Sequence, residues 1–238
     1  MSAPLRIGCA ALVLFAALVA AAAPVSAASL ALVLAVDVSE SVSTERYVLQ
    51  HDGIANAFET PQLINAIART PGGIEALVLE WSDPDKIAVT VDWTRVADAQ
   101  SANGFAAEVH ATRRSSAGVT AIGPALLAAA ATFDHLPEPV EHRMIDISGD
   151  GMANFGLPPA VARDGIMAKG IAINGLVILT DQPWLPDYYR NNVIGGPSAF
   201  VVIARRFDDF AGAMLRKLVR EVASASATST PVGAVQMQ

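Results

Sequence analysis

The chain has 238 residues, of which 53% are hydrophobic and 16% are charged, and its formal net charge is -7. This length suits one domain, or two at most. The acidic balance argues against nucleic acid or anionic lipid as the main partner and is compatible with a cation as a ligand.

The N-terminus has the pattern of a secretory signal. Arg6 precedes an almost unbroken apolar run over residues 7–23, and small residues follow it. This order predicts a cleavable signal peptide over residues 1–27 and an exported product, periplasmic or secreted. The alternative is a retained membrane anchor, because the run is just long enough to span a bilayer. The many alanines and Pro24 favour cleavage, which would leave no stable membrane span.

The single cysteine, Cys9, lies inside this predicted signal. The mature chain would therefore contain neither a disulfide nor a reactive thiol. An exported domain without disulfides depends on its hydrophobic core for stability, which favours a large α/β domain over a small cross-linked one.

The rest of the chain alternates predicted strands with predicted helices. Continuous or alternating apolar runs indicate strands, and apolar residues three or four positions apart indicate helices. In chain order we predict a strand over 29–36, a helix from Ser43 that breaks at Pro61 and resumes over 63–67, strands over 74–81 and 86–93, helices over 97–110 and 121–133, a strand over 143–148, a helix over 158–169, strands over 171–179 and 199–204, and a helix over 207–222. Residues 224–238 carry no charge and predict a disordered tail.

This alternation predicts one α/β domain over residues 29–223, with a doubly wound, mostly parallel six-stranded sheet and helices on both faces. The turn at Asp83-Pro84-Asp85 is too short for a parallel crossover, so it predicts one antiparallel edge strand. Ligands of such sheets bind beyond the carboxyl ends of the strands. The polar residues that follow the first and fourth strands are therefore the candidates for a site.

Oxygen-bearing side chains occur at three such places. Asp37, Ser39 and Ser41 follow the first strand, Thr120 precedes a helix, and Asp150 follows the fourth strand. Hydroxyl, carboxylate and water oxygens are the ligands that Mg²⁺ prefers. Taken alone, the segment at 37–41 favours a helix cap over a metal site. The two additional pieces favour a metal site.

The order Asp-x-Ser-x-Ser, a loop threonine and Asp-Gly resembles the metal-ion-dependent adhesion site (MIDAS) of von Willebrand factor A (VWA) domains, over residues 30–222. The resemblance implies that Ser39, Ser41 and Thr120 bind a divalent ion, Mg²⁺ or else Mn²⁺ or Ca²⁺, directly or nearly so. It implies that Asp37 and Asp150 act mainly through waters. A protein ligand would offer a carboxylate to the remaining position.

Two shorter runs, residues 145–151 and 79–82, resemble a family of exported bacterial VWA-like proteins whose function is unknown. The chain also departs from the common VWA pattern. Gly149 stands where many VWA domains have threonine, and the threonine loop reads Gly-Val-Thr-Ala-Ile-Gly. Both departures concern the shape of the loops and remove no ligand.

Several polar residues have a structural interpretation beside a functional one. Asp146 lies inside a strand, where we expect a buried pair with Arg143 or a histidine. Glu80 invites the same interpretation. His51, His110, His135 and His142 lack metal-type spacing, so we expect core or solvated histidines.

Other residues lie close to the predicted site. For Arg113 and Arg114, a solvated loop is favoured over steering of an acidic ligand. Phe155 and Trp184 fall on the predicted ligand rim, where packing into the core is favoured over a contact surface.

The sequence favours binding over catalysis. It lacks a Gly-x-Ser-x-Gly elbow and a P-loop, and Ser39 occupies the position of the second acid of an Asp-x-Asp phosphotransferase. We predict a non-enzymatic, metal-dependent protein-binding module. The alternatives are a metal-dependent hydrolase or phosphotransferase and a structural VWA-like protein with an unused metal site.

Overall fold

The computed structural model describes residues 27–180 and 182–228. The predicted signal peptide, apart from its last residue, and residues 229–238 lie outside this range. Within the described part, no helix is long and apolar enough to cross a membrane.

Six strands and seven helices make up the described chain. The strands are β1 (Leu30–Asp37), β2 (Ile74–Trp81), β3 (Ile87–Val96), β4 (His142–Gly149), β5 (Ile171–Ile178) and β6 (Val201–Ala204). The helices are α1 (Thr44–Glu59), α2 (Pro61–Ala68), α3 (Ala99–Ala111), α4 (Ile122–Thr132), α5 (Pro159–Met167), α6 (Leu185–Asn192) and α7 (Phe210–Thr228). Short 3₁₀ turns at Phe133–His135 and Phe207–Asp209 complete the chain.

The strands form one sheet in the order β3-β2-β1-β4-β5-β6. Each neighbouring pair is parallel except β2 and β3, which are antiparallel. The fold class predicted from the sequence is confirmed, including the antiparallel strand at the edge.

The centre of the sheet is buried on both faces. All eight residues of β1 are buried, which explains why its sequence is a continuous apolar run. Its even-numbered residues from Leu30 to Val36 pack in a core with α1, α2, α3 and α7. Ala31, Val33 and Ala35 pack in the opposite core with α4, α5 and α6.

Helix α6 was absent from the sequence-based prediction. Its segment is mostly polar and contains Pro186. Only three apolar residues in it have the spacing expected of a helix that packs on the sheet. Leu185, Tyr189 and Val193, four residues apart, are all fully buried. Packing on the sheet therefore stabilises a helix whose local sequence pattern is weak.

Helix α7 continues to Thr228, four residues past Ser224, where the disordered tail was predicted to begin. Two contacts explain the extension. Ala225 is buried against the core, and the hydroxyls of Ser226 and Thr70 are 2.7 Å apart. The small uncharged residues after Ser224 thus continue the helix because they pack against the domain.

Both ends of the described chain lie at one edge of the sheet. Ser29 precedes β1 and bonds through its backbone to Gly73 and His142, at the starts of β2 and β4. The end of α7 reaches Thr70, just before β2. The carboxyl ends of β1, β2 and β4 point to the opposite edge, where the candidate site lies.

Candidate metal centre

Parallel pairing of β1 with β4 brings two distant acidic residues to the same edge. The register pairs Val36 with Ser148, so the loops that begin with Asp37 and contain Asp150 emerge side by side. The Thr120 loop reaches this edge through backbone bonds. Ala121 N–H donates to the carbonyl of Ser82, and Glu40 N–H donates to that of Gly118.

Four of the five predicted site residues form one hydrogen-bonded network. Asp37 Oδ1 accepts from the backbone N–H of Ser39 at 2.8 Å. The hydroxyls of Ser39 and Ser41 are 3.2 Å apart, and that of Ser41 donates to Asp150 Oδ1 at 2.6 Å. The helix-cap interpretation of Asp37 does not hold, because Ser43 Oγ caps α1 by accepting from Arg46 N–H.

Thr120 is held by its own pair of backbone hydrogen bonds, which are to Asn154. Its N–H donates to Asn154 Oδ1 at 2.9 Å, and the Asn154 N–H donates to its carbonyl at 3.0 Å. Within the described part of the chain, no hydrogen bond links the Thr120 hydroxyl to the other four residues. The Thr120 residue is itself buried.

Asp37 is fully buried, and its Oδ2 atom lacks a hydrogen-bond partner among the described residues. Burial raises the pKa of Asp37 to about 7; hydrogen bonds from Ser39 oppose this shift, and the charge of Asp150 adds to it. A carboxylate in this environment is stabilised by a nearby cation. The buried, unpaired oxygen is the feature of this cluster that best fits a bound metal ion.

One positive side chain already borders the cluster. Arg46 Nη1 lies 3.6 Å from Asp150 Oδ2 and donates to the carbonyl of Ser41 at 2.8 Å. The guanidinium also stacks over the Phe207 ring, 4.7 Å from its centroid. Arg46 was not among the residues predicted for the site, whereas the structure places its guanidinium beside Asp150.

The Tyr189 hydroxyl occupies the space that a side chain at position 149 would need. This explains why Gly149 stands where many VWA domains have threonine. A Cβ atom built on Gly149 would lie 2.6 Å from the Tyr189 hydroxyl and 3.0 Å from Asp37 Oδ2. The Tyr189 ring is fully buried, and its hydroxyl has no hydrogen-bond partner among the described residues. Burial, together with the charges of Asp37 and Asp150, raises the pKa of Tyr189 well above its usual value, so the phenol stays neutral.

A buried carboxylate anchors the loop that carries Thr120. Glu80 accepts from the Tyr47 hydroxyl at 2.9 Å and from the Ser115 N–H at 2.6 Å, and His51 Nε2 lies 2.9 Å from it. Burial alone would raise the pKa of Glu80, but hydrogen bonds from His51 and Ser115 lower it. Glu80 and His51 thus have the structural role expected from the sequence.

Arg114 is part of the same support, which corrects the expectation of a solvated side chain. Its Nη2 donates to the carbonyls of Val38 and Ser39 at 2.7 and 2.9 Å. Its Nε donates to the carbonyl of Ser116 at 2.8 Å. The guanidinium therefore cross-links the loop after β1 to the loop that carries Thr120, while Arg113 is exposed.

Asp146 lies apart from the site, on the face of the sheet covered by α7. It pairs with Lys217, whose Nζ is 2.7 Å from Asp146 Oδ2, and not with Arg143 or a histidine as predicted. Lys217 also pairs with Glu221, which accepts from the Asn174 amide at 2.8 Å. The residue that neutralises Asp146 is 71 positions away in α7, and no local pattern indicates it.

The cluster at the sheet edge offers only oxygen ligands. It contains two carboxylates and three hydroxyls, and the described residues contain no group of three or more His, Cys, Asp and Glu side chains that could hold a metal. An oxygen-only set suits a hard divalent cation that keeps some of its waters. The residues present therefore fit the ion that the sequence predicts.

Comparisons with known proteins identify a family and a fold. The model of the family described as "Protein of unknown function (DUF1194)" matches residues 27–226. No curated protein matches the chain in sequence.

Several solved structures share the fold. Proximal thread matrix protein 1 (PTMP1) from the mussel byssus superposes with a TM-score of 0.63 at 13% identity, over 83% of this chain and 48% of that one. The pilus adhesin SpaC from Lactobacillus rhamnosus GG gives 0.62 at 14% identity, over 84% and 30%. The SpRpn10 VWA domain gives 0.54 at 16% identity, over 87% and 98%.

These matches show the VWA fold. The chain spans about half the length of the mussel protein and nearly all of the SpRpn10 domain. A further structure of the mussel protein has a zinc-occupied MIDAS motif.

Proposed function

Because the chain belongs to the DUF1194 family of proteins of unknown function and has the fold of a VWA domain, we propose that it is a metal-dependent protein-binding module. The observation that carries the proposal is the buried, unpaired Oδ2 of Asp37 within a cluster of hydroxyls. Such an atom is costly to bury unless a cation or a donor satisfies it.

In this proposal Ser39, Ser41 and Thr120 would hold the ion, and Asp37 and Asp150 would balance its charge. Few direct carboxylates leave the ion electrophilic, and it then attracts an anionic group. Arg46 adds a positive charge beside Asp150. Two carboxylates, a divalent ion and one guanidinium sum to a net positive site, which favours a carboxylate from a protein partner.

The related structures support a binding role. One is a pilus adhesin, and another is a thread matrix protein with zinc in its MIDAS motif. Together with the predicted signal peptide, they favour an exported protein that binds another protein. Ser39 at the position of a second acid favours binding over phosphoryl transfer.

Thermal unfolding of the purified protein tests the metal site. We expect Mg²⁺ or Mn²⁺ at millimolar concentration to raise the Tm by several degrees relative to EDTA, because an ion that binds only the folded state stabilises it. Ca²⁺ and Zn²⁺ should be tested in parallel. The substitutions Asp37→Asn and Ser39→Ala should abolish the shift.

Ser43→Ala is the matched control. Ser43 lies on the same loop but caps α1. This substitution should cost about 1 kcal/mol of stability and leave the ion-induced shift intact. If no ion shifts the Tm of the unmodified protein, the proposal is wrong.

A further inference from the structure

Exposed apolar side chains are concentrated around the candidate metal centre. Twelve large hydrophobic side chains are exposed among the described residues, and five of them lie on the loops that border this centre. These five form what we call the apolar rim: Val119, Met152, Phe155, Leu157 and Trp184. Single exposed apolar residues are ordinary on protein surfaces, but a contiguous group next to a site marks a contact surface.

The apolar rim is attached directly to the loop that carries Thr120. Asn154 lies among the rim residues and exchanges two hydrogen bonds with the Thr120 backbone, at 2.9 and 3.0 Å. Val119 immediately precedes Thr120, and the Leu157 carbonyl packs on the first turn of α4 beside Gly123. The loop after β4 therefore packs against the loop that carries Thr120 and against the start of α4.

Trp184 is joined to the same loop through α6. Its ring meets that of Tyr188 edge to face, with centroids 6.4 Å apart. The Tyr188 hydroxyl accepts from the Ala153 N–H at 3.2 Å. Hydrogen bonds thus hold the backbone of the rim while Phe155 and Trp184 remain 58% and 46% exposed.

We propose that the apolar rim forms the second half of the binding surface, and that the partner is a protein segment in which an Asp or Glu is flanked by large apolar side chains. This inference rests on the proposed function, since the acidic group would bind the metal ion. Apolar neighbours of that group would cover Phe155 and Trp184 and exclude water from the ion contact. Aromatic side chains at such positions supply much of the affinity of an interface.

The charges around the centre narrow the partner further. Arg46 lies beside Asp150 with its side chain 40% exposed. A segment with Lys or Arg next to its acidic residue would bring like charges together there and would leave the apolar rim uncovered. The surface therefore discriminates against basic flanking residues.

Selection from a phage-displayed library of random 12-residue peptides tests this inference. The library is bound to the immobilised protein in Mg²⁺ and eluted with EDTA. We expect enrichment of peptides with Asp or Glu within three positions of Phe, Trp, Leu or Met, and depletion of Lys and Arg. The variant Phe155→Ser/Trp184→Ser should bind a selected peptide about tenfold more weakly, whereas Val89→Ser, an exposed apolar position on β3, should bind it normally.

The outcomes separate this inference from the proposed function. Acidic peptides without apolar preference, bound equally by the protein and the double variant, would overturn the role of the rim and leave the metal-dependent module standing. An eluate without acidic peptides would overturn the inference, and the Mg²⁺-induced rise in Tm would still report on the metal site. Loss of that rise in the double variant would assign Phe155 and Trp184 to the metal site and also overturn the inference.

Discussion

The space beside Asp37 is shared by a glycine and a tyrosine hydroxyl. Alanine at position 149 would place a methyl group 2.6 Å from the Tyr189 oxygen. We expect Gly149→Ala to lower the free energy of unfolding by about 1–3 kcal/mol, as overpacking of a filled core does. Urea unfolding of the purified variant measures this loss.

Tyr189→Phe provides the test of the cause. Removing a buried hydroxyl that lacks a partner should itself change stability little. In that background Gly149→Ala should cost less, although Asp37 Oδ2 would still lie close to the new methyl group. The same cost in both backgrounds would show that the hydroxyl is not the obstacle.

The five candidate ligands could be named from the sequence because each sits in a short motif next to a strand or a helix. Tyr189 could not, because it belongs to a helix with a weak pattern and reaches the site from 40 positions beyond Gly149. The one available signal was the departure from threonine at Gly149. A missing side chain in a family motif indicates that another group fills its space.

At the scale of elements, the loop with Thr120 depends on β2 and α1 for its position. Glu80 on β2 accepts from Ser115 in this loop and from Tyr47 on α1. Glu80→Gln keeps every proposed ion ligand but replaces one acceptor oxygen by an amide donor. We expect the Mg²⁺-induced rise in Tm to shrink markedly in this variant.

Glu75→Gln is the control for this experiment. Glu75 lies on the same strand and is also buried, but it pairs with Arg95 on β3 at 3.3 Å. Its replacement should change the stability of the protein and leave the response to Mg²⁺ unaltered. Equal responses of the Glu80 and Glu75 variants would contradict a positioning role for Glu80.

Strands and helices were predictable where their own sequence shows a continuous apolar run or a regular spacing of apolar residues. Strand β2 was predicted with its observed bounds, 74–81, because every residue in it is buried and the turns on both sides are rich in Gly, Pro and Asp. Helix α6 and the last turn of α7 escaped prediction since their stability comes from contacts with distant residues. The spacing of apolar residues within a segment does not reveal contacts with distant residues.

At the scale of the whole molecule, a buried ionic cluster joins β4 to α7. Asp146 and Glu221 share the single ammonium group of Lys217, and all three side chains are fully buried. Burial raises the pKa of Glu221 to about 7; Lys217 opposes this shift, and Asp146 adds to it. One proton is therefore retained more easily in the folded protein than in the unfolded chain.

A raised pKa in the folded state gives stability that is full below pH 4.5 and lost as the pH rises through about 7. Glu221→Gln should remove this dependence, so that the variant gains on the unmodified protein by about 2–3 kcal/mol between pH 5 and pH 8. Urea unfolding in EDTA across this interval measures it. Asp37 titrates similarly in both proteins and cancels in the comparison, so parallel stability curves would contradict the assignment to Glu221.

The overall architecture followed from the alternation of elements and from one short turn between β2 and β3. The order of strands across the sheet did not, because hydrophobic periodicity does not say which strands are neighbours. The adjacency of β1 and β4 is nevertheless what makes a site from Asp37 and Asp150. The candidate ligands could thus be predicted from the sequence, but the strand order that brings them together could not.

The end of the sheet where Ser29 and the end of α7 lie is a suitable place to attach the protein to a surface. An eight-residue strand is roughly 26 Å long. A tether joined before Ser29 or after Thr228 would therefore be separated from the candidate metal centre by about the length of a strand. A biotin attached on this side would orient every molecule on a sensor surface alike. The candidate centre and its apolar rim would then face the solution.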